Sequence, residues 1–287
     1  MTWEEVITSA RDNPKYQEVI GQSYLAENLV ENAERFHSSE EFIETIKLIE
    51  IQGQKSTPRL LDIGSGNGIS AVSFALHGYD VTVVEPEQGM TTGTGAIRKL
   101  AEHYDLRMQI LNAFGEQLPL PDQSFDIVYL RQTLHHASDL NGFLKECCRV
   151  LKPGGKIITV RDHVIFSKKD KDWFLNSHPF HKLYGGENAY KLNEYTRSFR
   201  DAGFQIVRLM RHYDSVINYF PLSKKDYDDY PAKMKAALFE RLILKYGFLG
   251  KLSIVQVAFR IYKGLFPSWY NEKLIPGRLY SFIAVKI

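Results

Sequence analysis

The sequence predicts an α/β protein built on a doubly wound, mostly parallel sheet. Three observations carry that expectation: short apolar runs alternating with helix-length segments, a glycine-rich turn directly after the first run, and a closing run rich in Ile, Val, Phe and Tyr. Strands that alternate with helices of about 10–15 residues need crossover connections, and crossovers cover both faces of a parallel sheet.

Residues 3–50 read as helices. Leu29, Val30, Ala33, Phe36, Phe42, Ile46 and Ile49 recur at near-helical spacing, and Ser38-Ser39-Glu40-Glu41 reads as a break followed by a new cap. From Arg59 the period changes. Arg59–Ile63 is the first apolar run, Val81–Val84 the second, Leu106–Leu111 a weaker third, Phe125–Leu130 the fourth and Lys156–Val160 the fifth. Helix-length segments fall between them at 67–77, 87–103 and 138–150. His163–Tyr190 reads as irregular, followed by a helix near Leu192–Ala202 and a strand at Phe204–Met210. Two further helices are expected at Lys233–Tyr246 and Lys251–Lys263, and Arg278–Ile287 reads as a closing strand. The expected organisation is a helical N-terminal cap at 1–57, a sheet core at 58–213 and 276–287, and a helical insertion at 214–275.

With 287 residues, 44% hydrophobic and 24% charged, the chain has an ordinary globular balance that excludes disordered and collagen-like classes. No apolar run approaches the ~20 residues that span a bilayer, and the opening MTWEEVITSA lacks the basic-then-apolar signature of a signal peptide. Cys147 and Cys148 are adjacent, which suits buried packing in a reducing cytoplasm and not a disulfide scaffold. The net charge of +2 hides an asymmetry: from Lys233 onward ten Lys and Arg face two acids. A basic segment on a mildly acidic body points to an anionic partner, an anionic substrate or a lipid surface.

The most informative segment is Leu61-Asp62-Ile63-Gly64-Ser65-Gly66-Asn67-Gly68. Glycines between a strand and a helix allow positive φ and let a ligand lie against bare main chain. The dinucleotide fingerprint G-x-G-x-x-G would need glycine at 69, where Ile69 stands; the spacing present is G-x-G-x-G with an acid two residues ahead. Asp62 would repel a pyrophosphate and welcome an ammonium. Glu85, at the end of the second run, can accept two ribose hydroxyls. A ligand with a ribose, a positive charge and no phosphate satisfies both acids, and S-adenosylmethionine is such a ligand.

The run Leu61–Gly68, the acid in Val83-Val84-Glu85-Pro86, the segment Asn112-Ala113-Phe114 with Leu118–Asp126, and the turn Arg149-Val150-Leu151-Lys152-Pro153-Gly154-Gly155 together resemble class I S-adenosylmethionine-dependent methyltransferases. The likeness covers residues 58–162 and is nearest to the subset acting on quinones, sterols and other small molecules. It implies a Rossmann-like, seven-stranded sheet whose last strand runs antiparallel. It also implies that Gly64, Ser65, Gly66 and Gly68 line the methionine and ribose portion, that Asp62 reaches the amino group, and that Glu85 holds the ribose. Pro86 is then expected on the adenine face, with Ala113 and Asn112 at the adenine edge and Phe114 and Arg131 completing the surround. Many such enzymes carry Asp where Asn112 stands; Asn keeps the carbonyl acceptor with less charge assistance. The product would be S-adenosylhomocysteine.

In such a fold ligands collect at the carboxyl ends of the strands. Arg131-Gln132-Thr133-Leu134-His135-His136 follows the fourth run, Arg161-Asp162-His163 the fifth, and His178, His181 and Tyr184 stand in the later loop. Five of the nine histidines therefore belong to segments expected to face the cleft. Transfer from a sulfonium relies on positioning and desolvation, and a base is needed only when the acceptor is protonated. His136 and His181 are the base candidates, His135 completes a His-His pair that resembles one in the small-molecule family, and Tyr184 is a polar orienter. His163, His178, His181 and Asp162 offer ligand types for a metal, but loop spacing without a nearby cysteine gives no metal expectation.

No Asn/Asp-Pro-Pro-Tyr/Phe motif follows the fourth run and no cysteine follows the fourth or fifth, which disfavours exocyclic amine and 5-methylpyrimidine chemistry. The expectation is methylation of a small organic acceptor, anionic or lipophilic, with no nucleic-acid partner; the pattern sets no oligomeric state. Two rivals remain open at this point: an RNA methyltransferase, supported only by the basic segment, and a non-catalytic S-adenosylmethionine-binding protein. The 214–275 insertion is read as a specificity lid, as plain packing, or as a peripheral membrane contact through Leu249, Phe259, Leu265, Phe266 and Trp269.

Overall fold

The computed structural model describes residues 3–49, 57–221, 272 and 275–287. In chain order these form α1 (Trp3–Arg11), a 3₁₀ turn (Pro14–Tyr16), α2 (Gln17–Gln22), α3 (Leu29–His37), α4 (Glu40–Ile49), β1 (Arg59–Ile63), α5 (Ile69–Leu76), β2 (Asp80–Val84), α6 (Thr94–His103) and β3 (Gln109–Leu111). There follow β4 (Phe125–Arg131), a 3₁₀ turn (Leu134–His136), α7 (Leu140–Val150), β5 (Leu151–Ile165), α8 (Lys168–Ser177), α9 (His181–Tyr184), β6 (Tyr190–Lys191), α10 (Leu192–Asp201), β7 (Phe204–Met210), α11 (Val216–Tyr219) and β8 (Arg278–Lys286). The helices expected at 233–246 and 251–263, and the apolar residues expected to meet lipid, lie outside the described residues. Among the described residues no helix is long and apolar enough to cross a membrane.

The sheet runs β3-β2-β1-β4-β5-β8-β7, with two-residue β6 paired beside the end of β5. β8 is antiparallel to both β5 and β7, and the other pairings are parallel. The order reverses between β1 and β4, so the crevice that a doubly wound sheet opens at its switch point lies above these two strands.

Alternation along the central strands divides the core in two. Leu61, Ile63, Val128, Leu130 and Ile157 pack toward the face covered by α7 and α10, where Leu144, Cys147, Tyr195 and Phe199 are buried. Leu60, Val81, Val83, Ile127, Tyr129, Ile158 and Val160 pack toward the opposite face with Phe36, Phe42, Phe74 and Ile97, from α3, α4, α5 and α6. Two faces covered by helices explain why these strands read as continuous apolar runs. Cys147 is buried and Cys148 half-buried, both as free thiols.

Helix ends follow local chemistry. Asn28 accepts from the amides of Val30 and Glu31 at the start of α3, and Asp139 accepts from Asn141 and Gly142 at the start of α7. The break expected at Ser38–Glu41 is present: α3 stops at His37, and the Ser39 hydroxyl accepts the Phe42 amide at 3.1 Å.

Three expectations change. α6 starts at Thr94, not near 87, because the intervening amides are held by non-helical partners: Glu87 N–H by the Glu85 carboxylate, and Met90 and Thr91 N–H by Glu4. The segment 163–190 is largely regular. β5 passes through a bulge after Thr159, with Arg161 at φ +63, and regains pairing with β8 at Asp162↔Tyr280. The polar triplet Arg161-Asp162-His163 broke the apolar pattern without ending the strand. The third difference is the eighth strand, β6, too short to carry a period.

α4 is joined to the tip of β4 by a buried ion pair. Glu41 accepts from Arg131 Nε at 2.7 Å and Nη2 at 3.0 Å, and Arg161 Nη1 lies 3.6 Å from the same carboxylate. Tyr24 and Phe36 present ring faces to the Arg131 guanidinium. Removing one partner from such a pair strands the other charge in the interior, at a cost of about 3–5 kcal/mol. Glu41→Ala is therefore expected to lower unfolding stability by about that amount in guanidinium denaturation, whereas Glu44→Ala, which removes the exposed partner of Lys47, should change it by less than about 0.5 kcal/mol. Equal, small effects would show that the Glu41 pair does not hold α4 to the sheet.

Candidate active site

The turn after β1 is organised by one buried carboxylate. Asp62 Oδ2 accepts the hydroxyls of Ser65 at 2.8 Å and Ser70 at 2.6 Å, while the equally buried Oδ1 has no partner. Burial pushes its pKa up to about 6, against the hydroxyls and the charge of Arg131. The turn is tied to the N-terminal region by Asn67, whose side-chain amide donates to the Tyr24 carbonyl at 2.6 Å.

Glu85 follows β2 and reaches across to the same turn. Its Oε2 accepts the Gly66 amide at 2.7 Å and its Oε1 accepts the Glu87 amide at 3.0 Å. Burial raises it to about 7, opposed by those two amides. Each oxygen keeps a second lone pair.

The three glycines differ in what they are for. A Cβ at Gly64 (φ +69) would run into the Thr133 side chain, and one at Gly68 (φ +86) would come within 2.9 Å of Ile97 Cγ1. Close packing accounts for both. Gly66 (φ +58) has nothing within 4 Å of an added Cβ. Bare backbone facing open space, beside an unpartnered carboxylate oxygen, is the feature that packing does not explain.

Around this turn the structure gathers most of the residues expected to surround a cofactor. Asn112, after β3, donates its amide to the carbonyls of Glu85 at 3.1 Å and Pro86 at 2.7 Å, and accepts from Gln88 at 3.1 Å. It thereby binds the β3 tip to the loop that follows β2. Ala113 is half-buried, and Phe114 is 69% exposed, a large ring left outside the core. Arg131 stands apart from this group, its guanidinium taken by Glu41 and Gln132.

The second half of the site collects histidines. The 3₁₀ turn after β4 buries His135, whose backbone amide and Nδ1–H both donate to Asp162 Oδ1 at 3.1 Å. Its Nε2 lies 3.7 Å from Glu187 Oε2. Burial works against charge on His135, but the two carboxylates raise its pKa to about 9. His136 donates Nδ1–H to the Gly186 carbonyl at 3.0 Å, and burial together with the His135 charge lowers it to about 4. His163, beyond the β5 bulge, bonds the Gly277 carbonyl and packs on Phe174. His178 Nδ1 is 3.7 Å from Glu187 Oε1. His181 opens α9, with Nδ1 buried and unpartnered.

Tyr184 faces the other half instead: its hydroxyl lies 3.4 Å from Glu87 Oε1, and its ring packs on Trp3. Trp3 also meets Phe180 edge-on, so α1 and α9 close together over the loop after β2 that Glu4 binds. Sequence reasoning named the histidines but not the roles of Glu41, Glu187 or Asn67. Glu187 follows Gly185 and Gly186 in the loop after α9, with no spacing that marks it as the carboxylate two histidines share.

Residues 61–159 match the family described as a methyltransferase domain. The chain is 31% identical over 148 residues to the uncharacterized methyltransferase YcgJ of Bacillus subtilis, covering 50% of this chain and 57% of that one. It is 30% identical over 213 residues to a sterol 24-C-methyltransferase of Aspergillus fumigatus, covering 66% of this chain and 53% of the relative. The chain thus spans about half the length of these curated relatives. The crystal structure of the YcgJ protein superposes with a TM-score of 0.54 at 21% identity, over 86% of this chain and 97% of that one, and so shares the fold. Residues 61–159 thus carry a methyltransferase domain, on the fold of the YcgJ protein.

The distinction between the glycines is measurable. Gly66→Ala should cost about 1–2 kcal/mol of left-handed backbone strain. Gly64→Ala adds the overlap with Thr133 and should cost about 2–5 kcal/mol. Chemical denaturation of the two variants checks the difference, and equal costs would contradict the open space above Gly66.

Proposed function

We propose that the protein transfers a methyl group from S-adenosylmethionine to a small organic acceptor. One observation carries the reading: a buried carboxylate oxygen on Asp62 without a partner, in the same turn as half-buried glycine backbone at Gly66 with open space where a Cβ would lie, and a second buried acid at Glu85. The residues present fit the cofactor. Asp62 Oδ1 would accept its amino group, Glu85 its ribose hydroxyls, and Ser65, Pro86, Asn112, Ala113 and Phe114 would surround the nucleoside. When bound, the cofactor supplies a sulfonium methyl with a good leaving group.

The acceptor half is read from the histidines. His136 gives its Nδ1 proton to the Gly186 carbonyl, which leaves Nε2 as the lone pair. Its lowered pKa keeps it neutral near pH 7, as an acceptor of a proton from a hydroxyl or acidic carbon. His181 is the second base candidate and Tyr184 the orienter. α1 and α9 would exclude water above the cleft. The sterol 24-C-methyltransferase relative supports a lipophilic small molecule as the acceptor class. We place the protein in the cytoplasm on its cysteine usage.

The sign of the pH dependence follows from the raised acids. Asp62 and Glu85, at about 6 and about 7, lose charge as pH falls, and a cationic ligand loses its partners with them. Calorimetric affinity for S-adenosylmethionine should therefore be highest above pH 7 and fall as pH drops through 7 and then 6. Glu85→Ala should weaken binding by roughly 30- to 150-fold, the ~2–3 kcal/mol of hydrogen bonds to a charged group. A flat profile from pH 5 to 8, with Glu85→Ala unchanged, would reject the site.

His136→Ala should lower turnover of a methylated acceptor by roughly 100-fold or more with cofactor affinity nearly intact. An unchanged rate would remove His136 as the base.

A further inference from the structure

We propose that His135, His163 and Glu187 form a binding site for a divalent first-row transition metal such as zinc or ferrous iron. Each offers one ligand atom, and the three atoms lie within 4.8 Å of one another. The loop reading had weighed His163, His178 and His181 with Asp162. The fold assembles a different set because the β5 bulge carries His163 beneath the turn that buries His135, and the loop before β6 delivers Glu187 between them.

The distances favour an ion over direct contact. His135 Nε2 to Glu187 Oε2 is 3.7 Å, too long for a hydrogen bond. Two ligands each about 2.1 Å from one metal stand roughly 3–4 Å apart. His178 Nδ1 stands 3.7 Å from the other oxygen of Glu187, outside the three-atom cluster. Glu187 Oε2 and His178 Nδ1 are buried with no hydrogen-bond partner. A buried carboxylate oxygen left unanswered is destabilising, and a bound cation would answer Glu187 Oε2.

The surroundings match what metal-bound histidines require. A ligating imidazole commonly donates its other N–H to a carboxylate or a backbone carbonyl, which fixes tautomer and ring orientation. His135 does so to Asp162 Oδ1 and His163 to the Gly277 carbonyl. Both acceptors lack a proton to give, so in each neutral ring the remaining nitrogen carries the lone pair, and a cation binding at His135 displaces the proton that Glu187 otherwise favours there. Phe174 packs on His163 with centroids 4.3 Å apart and walls one side. His178, on the far side of Glu187, also borders a cavity of about 390 Å³ lined in part by Lys15, Tyr16 and Asn176. Two imidazoles and one carboxylate suit zinc or non-haem iron, and are poor company for calcium or magnesium, which prefer oxygen alone.

Three protein ligands leave coordination positions open. These would take an oxygen of the methyl acceptor, such as a hydroxyl or carboxylate; that extension, unlike the metal site itself, rests on the methyl-transfer reading.

The test titrates chelator-treated full-length protein with Co²⁺, followed by visible absorption, and with Zn²⁺, followed by calorimetry. S-adenosylmethionine affinity and thermal unfolding are measured on the same samples. One equivalent of metal is expected to bind. His163→Ala and Glu187→Gln should each weaken it by on the order of 100-fold, and Asp162→Asn by roughly 10- to 100-fold because it weakens the hydrogen bond that orients His135. His103→Ala, outside the cluster, should leave it unchanged. A variant that melts early is replaced by His163→Gln or Glu187→Ala, so the reading does not depend on one substitution. No stoichiometric binding, or equal affinity in folded His163 and Glu187 variants, overturns the site. Metal loss with intact S-adenosylmethionine binding implicates this cluster alone, whereas absent cofactor binding with intact metal binding defeats only the methyl-transfer reading.

Discussion

Charge buried at the carboxyl end of a parallel sheet has to be answered from outside the sheet, and this requirement organises the molecule. Asp62 and Arg131 stand at the carboxyl ends of β1 and β4, Arg161-Asp162 at the bulge of β5 and Glu85 just beyond β2, and every one of these side chains is largely buried. Strand neighbours cannot compensate them, because their main-chain groups are already paired along the ladders. Partners must come from the turns and helices above. Ser65 and Ser70 answer one oxygen of Asp62, two amides answer Glu85, and α4 sends Glu41 to the two arginines.

The N-terminal helices are therefore more than a cover. Glu41 fixes α4 to the β4 tip, Asn67 holds the Tyr24 carbonyl, and Glu4 holds the loop after β2. Each link runs from the N-terminal region to a strand tip or loop of the sheet core. Losing the helices would expose the apolar face of α5 and leave Arg131 unpaired in the interior. Closing of the crevice and stability of the sheet are served by the same contacts.

The site has two halves with opposite electrostatics. Around the glycine turn, burial raises the pKa of two acids, Asp62 to about 6 and Glu85 to about 7. Around β4 and β5, imidazoles surround Glu187 and Asp162; burial works against charge on both His135 and His136, but Asp162 and Glu187 raise His135 while the His135 charge lowers His136 further. Glu187 is held below the usual carboxylate range; burial opposes this, and the histidines prevail. The bulge at Arg161 makes this half, since a regular β5 would turn His163 to the other face of the sheet.

Much of this was legible in the sequence. The glycine turn, its two acids and β1, β2, β4 and β7 are local: apolar period, positive-φ glycines and cap residues are properties of a few neighbouring residues, and they specify strands and turns without help. The path of β5 beyond Val160 was hidden because its continuation depends on β8, more than a hundred residues later, and its polar triplet looks like a loop. The start of α6 was misplaced because a glutamate near the N-terminus captures two of the amides ahead of it. What the sequence determined alone is the parallel sheet and the chemistry of its first turn, since both follow from short-range geometry. Only tertiary structure decided that Glu41 belongs to Arg131 and that Glu187 lies among the histidines, because charges brought into low dielectric choose partners by proximity in space, which no spacing along the chain encodes.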